Sequence, residues 1–248
     1  MNIVVCISSV PDTTSKINFI ENNTEFDKNG IQLIINPYDE FGLTKAIMLK
    51  ESHNAKITII TVGDAMVEPV MRKALAIGAD EAIRIDAVPK DSYSTAKEIA
   101  AYLIKNPVDL IIAGKESTDY NTGAVPAMIA ELMNLSFVNA CIGLEIDGSD
   151  VKMTRETEDG KETVSAQLPV MIGGQKGLVE ESELKIPNMR GIMQSRTKPL
   201  TVINPVSETE IVKTTCYSKP PKKASCKMIE SDNLSELINL LQNEAKVI

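Results

Sequence analysis

Short apolar runs recur through the first half of the chain. Each is closed by a polar break carrying glycine or proline and is followed by a helical pattern. Ile3-Val4-Val5-Cys6-Ile7 is the first, and the runs at 57–62, 82–85 and 108–113 repeat it. A strand that is apolar at consecutive positions is buried on both faces, as in a parallel sheet between two helical layers. Helices are predicted to open at Pro37, to cover 67–76 with Gly78 as a stop, to start from a cap at Asp91 or Ser92, and to open again at Pro126. Asn29-Gly30 lies between apolar stretches at 17–20 and 31–35 and is a hairpin signal, so a small antiparallel excursion is expected there.

After Leu135 the texture changes. Segments 142–146, 151–156 and 162–168 are strand-like and are joined by turns at 147–150 and 158–161, which predicts a β-meander at the sheet edge. Residues 168–174 return toward the core. Residues 186–193 read as an irregular loop leading into a helix; methionines there are either an adaptable contact surface or, the commoner arrangement, packed inward. A strand at 200–203 follows. From 205 to 225 the chain is polar and carries Lys219-Pro220-Pro221-Lys222-Lys223, the composition of an extended linker whose lysines are solvated or touch a partner. A final helix at 234–244 lines up Leu234, Leu237, Ile238 and Leu241, a stripe that must dock on its own domain or on another subunit. The predicted class is α/β: a Rossmann-like parallel-sheet nucleotide-binding fold over 1–204 with a small antiparallel β excursion, then a C-terminal arm over 205–248 ending in a helix.

In that architecture the loops at 8–14, 36–39, 63–65 and 114–125 converge on the carboxyl edge of the sheet, where open α/β sheets bind ligands. The last is the most informative. Gly114 to Val125, GKESTDYNTGAV, runs from a buried strand into a helix, with two glycines and the short polar groups of Thr118, Asn121 and Thr122. Its backbone donors and the helix N-terminus suit a phosphate. An ordinary βα loop with a good N-cap fits the loop equally well, since it is neither a P-loop nor a GxGxxG.

With 248 residues and 43% apolar content, the chain is long enough for one large domain with an appendage. A net charge of −8 argues against broad nucleic-acid binding, and no apolar run approaches a membrane span in length. The N-terminus enters a strand pattern without a basic region or cleavage site, so a cytoplasmic location is expected. Cys6, Cys141, Cys216 and Cys226 form no CxxC pair, and His53 is the only histidine. A zinc site, a dithiol motif or a Ser-His catalytic pair is therefore not expected, and no catalytic residue is assigned.

Four spaced motifs resemble the β subunit of electron-transfer flavoprotein. They are Asn36-Pro37-Tyr38-Asp39-Glu40-Phe41; Gly114-Lys115-Glu116-Ser117-Thr118-Asp119; Arg155-Glu156 with Gly160, Glu162 and Leu168-Pro169; and Ile192-Met193 with the basic residues after it. The resemblance runs from end to end. It implies a heterodimer with an α subunit that holds most of the redox-active FAD. It also implies a structural AMP on this chain in a shuttling member, or a second FAD in a bifurcating one. Carried onto this sequence, the nucleotide contacts are Cys6, Asn36, Pro37, Tyr38, Asp39, Val62, Gly114, Lys115, Glu116, Ser117, Thr118, Asp119, Tyr120, Asn121, Thr122, Gly123, Ala124 and Val125. Cys6 and Val62 would be packing or backbone contacts. A recognition loop at about 183–198 would dock on an acyl-CoA dehydrogenase or a related dehydrogenase, with Met189 at its leucine tip position.

The resemblance thus implies an electron-carrier subunit serving fatty acid oxidation and passing electrons toward a quinone-linked acceptor. Bifurcation, with hydride from NADH entering a second FAD here, is the alternative. An adenine-nucleotide-binding regulatory module is the reading of another class.

Overall fold

The computed structural model describes residues 1–206, 210–223 and 225–248. The first half follows the alternation written in the sequence. Strand β1 (Asn2–Cys6) leads through β2 (Ser9–Pro11), β3 (Phe19–Ile20), β4 (Glu25–Phe26) and β5 (Leu33–Ile35) into helix α1 (Pro37–His53). Then come β6 (Lys56–Val62), α2 (Glu68–Ile77), β7 (Glu81–Ile85), α3 (Ser92–Lys105), β8 (Leu110–Gly114) and α4 (Ala124–Leu132). The second half holds β9 (Ser136–Asp147), β10 (Asp150–Thr157), β11 (Gly160–Gln167), β12 (Val170–Gly174), α5 (Met189–Ser195), β13 (Leu200–Ile203) and α6 (Leu234–Asn239).

Nine strands form one sheet in the order β11-β10-β9-β12-β8-β1-β6-β7-β13. From β9 to β13 every neighbouring pair is parallel; β10 is antiparallel to both of its neighbours. The fold is α/β and Rossmann-like, with two small antiparallel sheets beside the main one. Strand side chains alternate between two cores. Ile3, Val5, Leu110 and Ile112 pack with α1 and α2, through Leu43, Ala46, Met71 and Ala74. Val4, Cys6, Ile111 and Ala113 pack with α3 and α4, through Ala96, Ile99, Ile129 and Ala130. Burial on both faces, at about 1.5–3 kcal/mol per large aliphatic side chain, is why these strands read as unbroken apolar runs.

Three expectations are corrected. The excursion is antiparallel, but its turn is not at Asn29-Gly30. β3 pairs with β4 across Glu21, Asn22 and Asn23, all at positive φ, while β5 pairs with β2. The apolar 31–35 stretch finds a better partner in Val10, which is fully buried, than across the predicted turn. The meander is present as β9, β10 and β11, but β9 starts at Ser136, and its first half pairs in parallel with β12. The sequence marks only its second half, because Asn139 and Ala140 break the alternation there. The inward packing of the methionines in 186–193 fails as well: Met189 is 76% exposed and Met193 69%.

The arm does not run free of the domain. The N–H groups of Ile211 and Val212 donate to Asp91 Oδ2 at 2.6 and 2.8 Å. That carboxylate also caps α3 through Ser94 N at 2.6 Å. Against the cost of its burial, these donors hold Asp91 at about 2. Farther on, Tyr217 stacks on Phe19 with ring centroids 4.9 Å apart, and its N–H donates to Asn23 O at 2.7 Å. Lys219 Nζ reaches Asn18 Oδ1 at 2.9 Å. Residues 207–209 and 224 of the predicted linker lie outside the described residues. Helix α6 continues as a π-helical turn, Leu240–Ala245, and the stripe of Leu234, Leu237 and Ile238 is exposed. Among the described residues, no helix is long and apolar enough to cross a membrane.

Candidate functional site

The sheet reverses its build direction at β1. The chain leaves β1 for β6 and β7 on one side and then returns as β8 on the other. The crevice at the carboxyl ends of β1 and β8 is thus the topological switch point. The first residues of α1 close it with a polar knot. Asp39 is 2% exposed and Asn36 1%. Asp39 Oδ2 accepts from Ser8 N, just beyond β1, at 2.7 Å, and Oδ1 accepts from Gly114 N, at the end of β8, at 2.8 Å. Asn36 Nδ2 donates to Asp39 Oδ1 at 3.1 Å and to Glu116 O at 2.9 Å, and Asn36 Oδ1 accepts from Thr118 N at 3.2 Å. Two side chains one turn apart therefore fix three segments: the β1 exit, the start of α1 and the loop after β8. Pro37 presets the first helical turn that spaces them.

Burial lifts the Asp39 carboxyl to about 7, with the Ser8, Asn36 and Gly114 donors pulling it back down. Burial also pushes the Cys6 thiol up, and Asp39 adds to this, so no thiolate is available there. Gly114 is required by contact. A Cβ on it would lie 2.4 Å from Asp39 Oδ1 and 2.7 Å from Tyr38 Cβ. Gly114 is the last residue of β8, one position inside the strand relative to the predicted loop.

The loop from Lys115 to Gly123 rises from this knot. Lys115 N donates to Gly174 O at 2.8 Å, and Asn121, at φ 51, donates its N–H to Ser117 O at 2.8 Å. Lys115 Nζ stands 5.2 Å from the centre of the Tyr38 ring, a cation–π contact at the rim. The good side-chain N-cap of the ordinary-loop reading is missing: Gly123 occupies that position and no side chain caps α4. Among the described residues no side chain caps the Ala124 and Val125 N–H groups, and Pro126 has none to offer; these two donors suit an anion, and Lys115, 3.9 Å from Glu116 Oε1, lies in the same loop. This donor set fits a nucleotide phosphate. The side-chain polar atoms of Asn36 and Asp39 are hydrogen-bonded within the protein.

Of the sequence-predicted residues, Cys6, Asn36, Asp39 and Gly114 meet in the knot, while Tyr38 and 115–125 surround its mouth. Val62 ends β6, next to β1 on the far side, and is 8% exposed. Sequence reasoning missed one neighbour of the loop. Val138 pairs with Ile172 and Cys141 with Gly174, so Asn139 and Ala140 bulge opposite Gly173. Asn139 Oδ1 is buried there without a hydrogen-bond partner among the described residues. A Cβ on Gly173 would come within 2.2 Å of it. Two glycines inside a strand were the available signal. The tip of the loop also touches the arm, with Tyr120 Oη 3.3 Å from Tyr217 Oη.

Met189 lies apart from this edge, at the start of α5, which packs on α2. Asn188 caps α5, accepting from Gly191 N at 2.8 Å. Gly191 and Ser195, one turn apart, face α2; Met189 and Met193 project outward, and Ile186 is 81% exposed beside them. The result is an apolar ledge on a short helix.

Residues 24–208 match the family described as Electron transfer flavoprotein domain. The chain is similar to the Electron transfer flavoprotein subunit beta of Bacillus subtilis, at 34% identity over the whole of both chains. It is similar to the protein of the same name in Syntrophomonas wolfei at 32% identity, covering 100% of this chain and 98% of the relative. The Bradyrhizobium diazoefficiens protein of that name is 28% identical over the full length of both.

Proposed function

Since the chain belongs to the electron transfer flavoprotein family, among its β subunits, we propose that it pairs with an α subunit and binds a structural AMP at the switch-point loop. It would work as an electron carrier and not as an enzyme that makes or breaks substrate bonds. FAD held mainly by the α subunit supplies the redox chemistry when bound. This chain's residues do other work. The knot of Asn36 and Asp39 fixes the loop, the uncapped start of α4 and Lys115 take the phosphate, and Cys6 and Val62 would be packing or backbone contacts to the nucleotide. The observation that carries the AMP reading is the uncapped α4 N-terminus above a glycine that tolerates no side chain.

The ledge of Ile186, Met189, Ile192 and Met193 would fill an apolar pocket on an acyl-CoA-type dehydrogenase, which delivers electrons bound for a quinone-linked acceptor, and the chain itself would work in the cytoplasm. The stripe on α6 would dock on the α subunit.

The test is to co-purify this chain with its α subunit, denature the complex and count the released nucleotides. One FAD and one AMP per heterodimer is the expected result. Two FAD would replace the shuttle with the bifurcating reading. Adenine nucleotide with neither flavin nor α partner would leave a regulatory module.

A further inference from the structure

Helix α5 has little to hold it by the usual means. It is seven residues long, too short to be stable alone, and contains Gly191. Its inward face offers only Gly191 and the buried Ser195, while its large apolar side chains point away from the domain. Hydrophobic burial therefore does not set its angle. Two cations do. Arg72, on α2, donates from Nη1 to the carbonyls of Ser195 at 2.7 Å and Lys198 at 2.8 Å. Lys198, just past α5, donates from Nζ to the carbonyls of Leu75 at 2.8 Å and Ala79 at 2.5 Å. Each cation thus sits at the carboxyl end of the other's helix, where unpaired carbonyls and the negative end of the dipole collect. Gly191 lets the two backbones close up, since a Cβ there would lie 2.2 Å from Ala76 O.

We propose that Arg72 and Lys198 form a reciprocal clamp that positions α5 for its electron-donating partner. The inference rests on the docking reading given above. Arg72 touches no partner; it acts through the α5 backbone. With the clamp in place, Met189, Ile192 and Met193 are presented at one fixed angle, and little ordering cost remains at encounter. Without it, the same side chains are present but their helix wanders.

The experiment uses the flavin-loaded heterodimer, with an acyl-CoA dehydrogenase as the reductant. Arg72→Gln should raise the heterodimer concentration needed for half-maximal reduction by about fivefold to tenfold, the size expected for losing charge-assisted hydrogen bonds. The maximal rate, flavin content and reduction by dithionite should be unchanged. Arg72→Lys should recover most of the affinity, and amide exchange should quicken at 191–198 but not at 115–123 in Arg72→Gln. Gly191→Ala, which displaces α5 while Arg72 stays intact, should give the same weakening. If Met189→Ala weakens reduction and Arg72→Gln does not, the clamp is refuted and the docking reading stands. If neither variant matters, the docking reading fails and the clamp loses its purpose. Loss of flavin or of the heterodimer in both Arg72→Gln and Gly191→Ala would make the contact a general structural one and overturn the proposal.

Discussion

The switch-point knot and the α5 ledge use similar polar contacts to opposite ends. In the knot, Asn36 and Asp39 are buried, and the backbone groups they hold belong to segments far apart in the chain. In the ledge, Arg72 and Lys198 tie two helix ends together at the surface, and what they hold is left uncovered. The knot spends its polar atoms on shape, so it should matter to stability first and to ligand second. The ledge spends its apolar atoms on contact, so it should matter to a partner and barely to stability. Exposure separates the roles better than residue type does, because a buried carboxylate and an exposed methionine each invert the usual placement.

The sharpest way to break this contrast is Asp39→Ala. It leaves the Ser8 and Gly114 N–H groups unpaired inside the protein and should cost about 3 kcal/mol in denaturant unfolding of the heterodimer, with loss of AMP. A variant as stable as the parent would remove the knot's structural role. Gly114→Ala comes next. Its Cβ collides with Asp39 and Tyr38, and overpacking of this kind costs about 1–3 kcal/mol. Unfolding and nucleotide release are the readouts, and full AMP retention would count against the close approach.

A smaller effect lies in pH. Asp39 titrates at about 7 in the folded chain, above an unfolded carboxyl, so the folded state binds the extra proton. The stability of the parent relative to Asp39→Asn should therefore fall as pH rises from about 4 to about 7 and level off above that. A difference that stays flat across this window would mean that the donors, not burial, govern the carboxyl. The smallest change in stability belongs to Met189→Ala, within about 0.5 kcal/mol as for surface sites, although reduction by the dehydrogenase should slow. A large loss of stability there would dissolve the contrast altogether.

Much of this was legible in the sequence. The strands β1, β6, β7 and β8 announce themselves because burial on two faces leaves few polar positions, Thr58, Thr61 and Arg84 being the buried exceptions. The start of α1 is readable because Pro37 suits the first helical position and the acids after it suit the positive end of a helix. What stayed hidden depends on distant pairing. The Asn29-Gly30 signal was genuine local chemistry, overridden when β5 found β2. The first half of β9 is specified by β12, some thirty residues later, and its bulge leaves no period to detect. The loops gathered at the carboxyl edge could be read from the sequence, but the bonds from Asn36 and Asp39 to them could not, because partners 80 and 75 residues away cannot be inferred from spacing. The methionines faced outward because the smaller Gly191 and Ser195 were needed against α2.

The link between Asp39 and Gly114 also has a consequence for how the protein is made. The central strand and the first helix leave the ribosome early and bring the Ser8 and Asn36 donors to the Asp39 carboxylate, yet its third donor, the Gly114 N–H, comes only 75 residues later. A nascent chain ending before Gly114 lacks one of the donors to the acid in its growing core and does not yet carry the loop after β8. Domains that form as units close such long-range contacts late. Capture of a nucleotide at this edge would then act as a receipt for a finished sheet, available to the assembly step only once translation has passed β8.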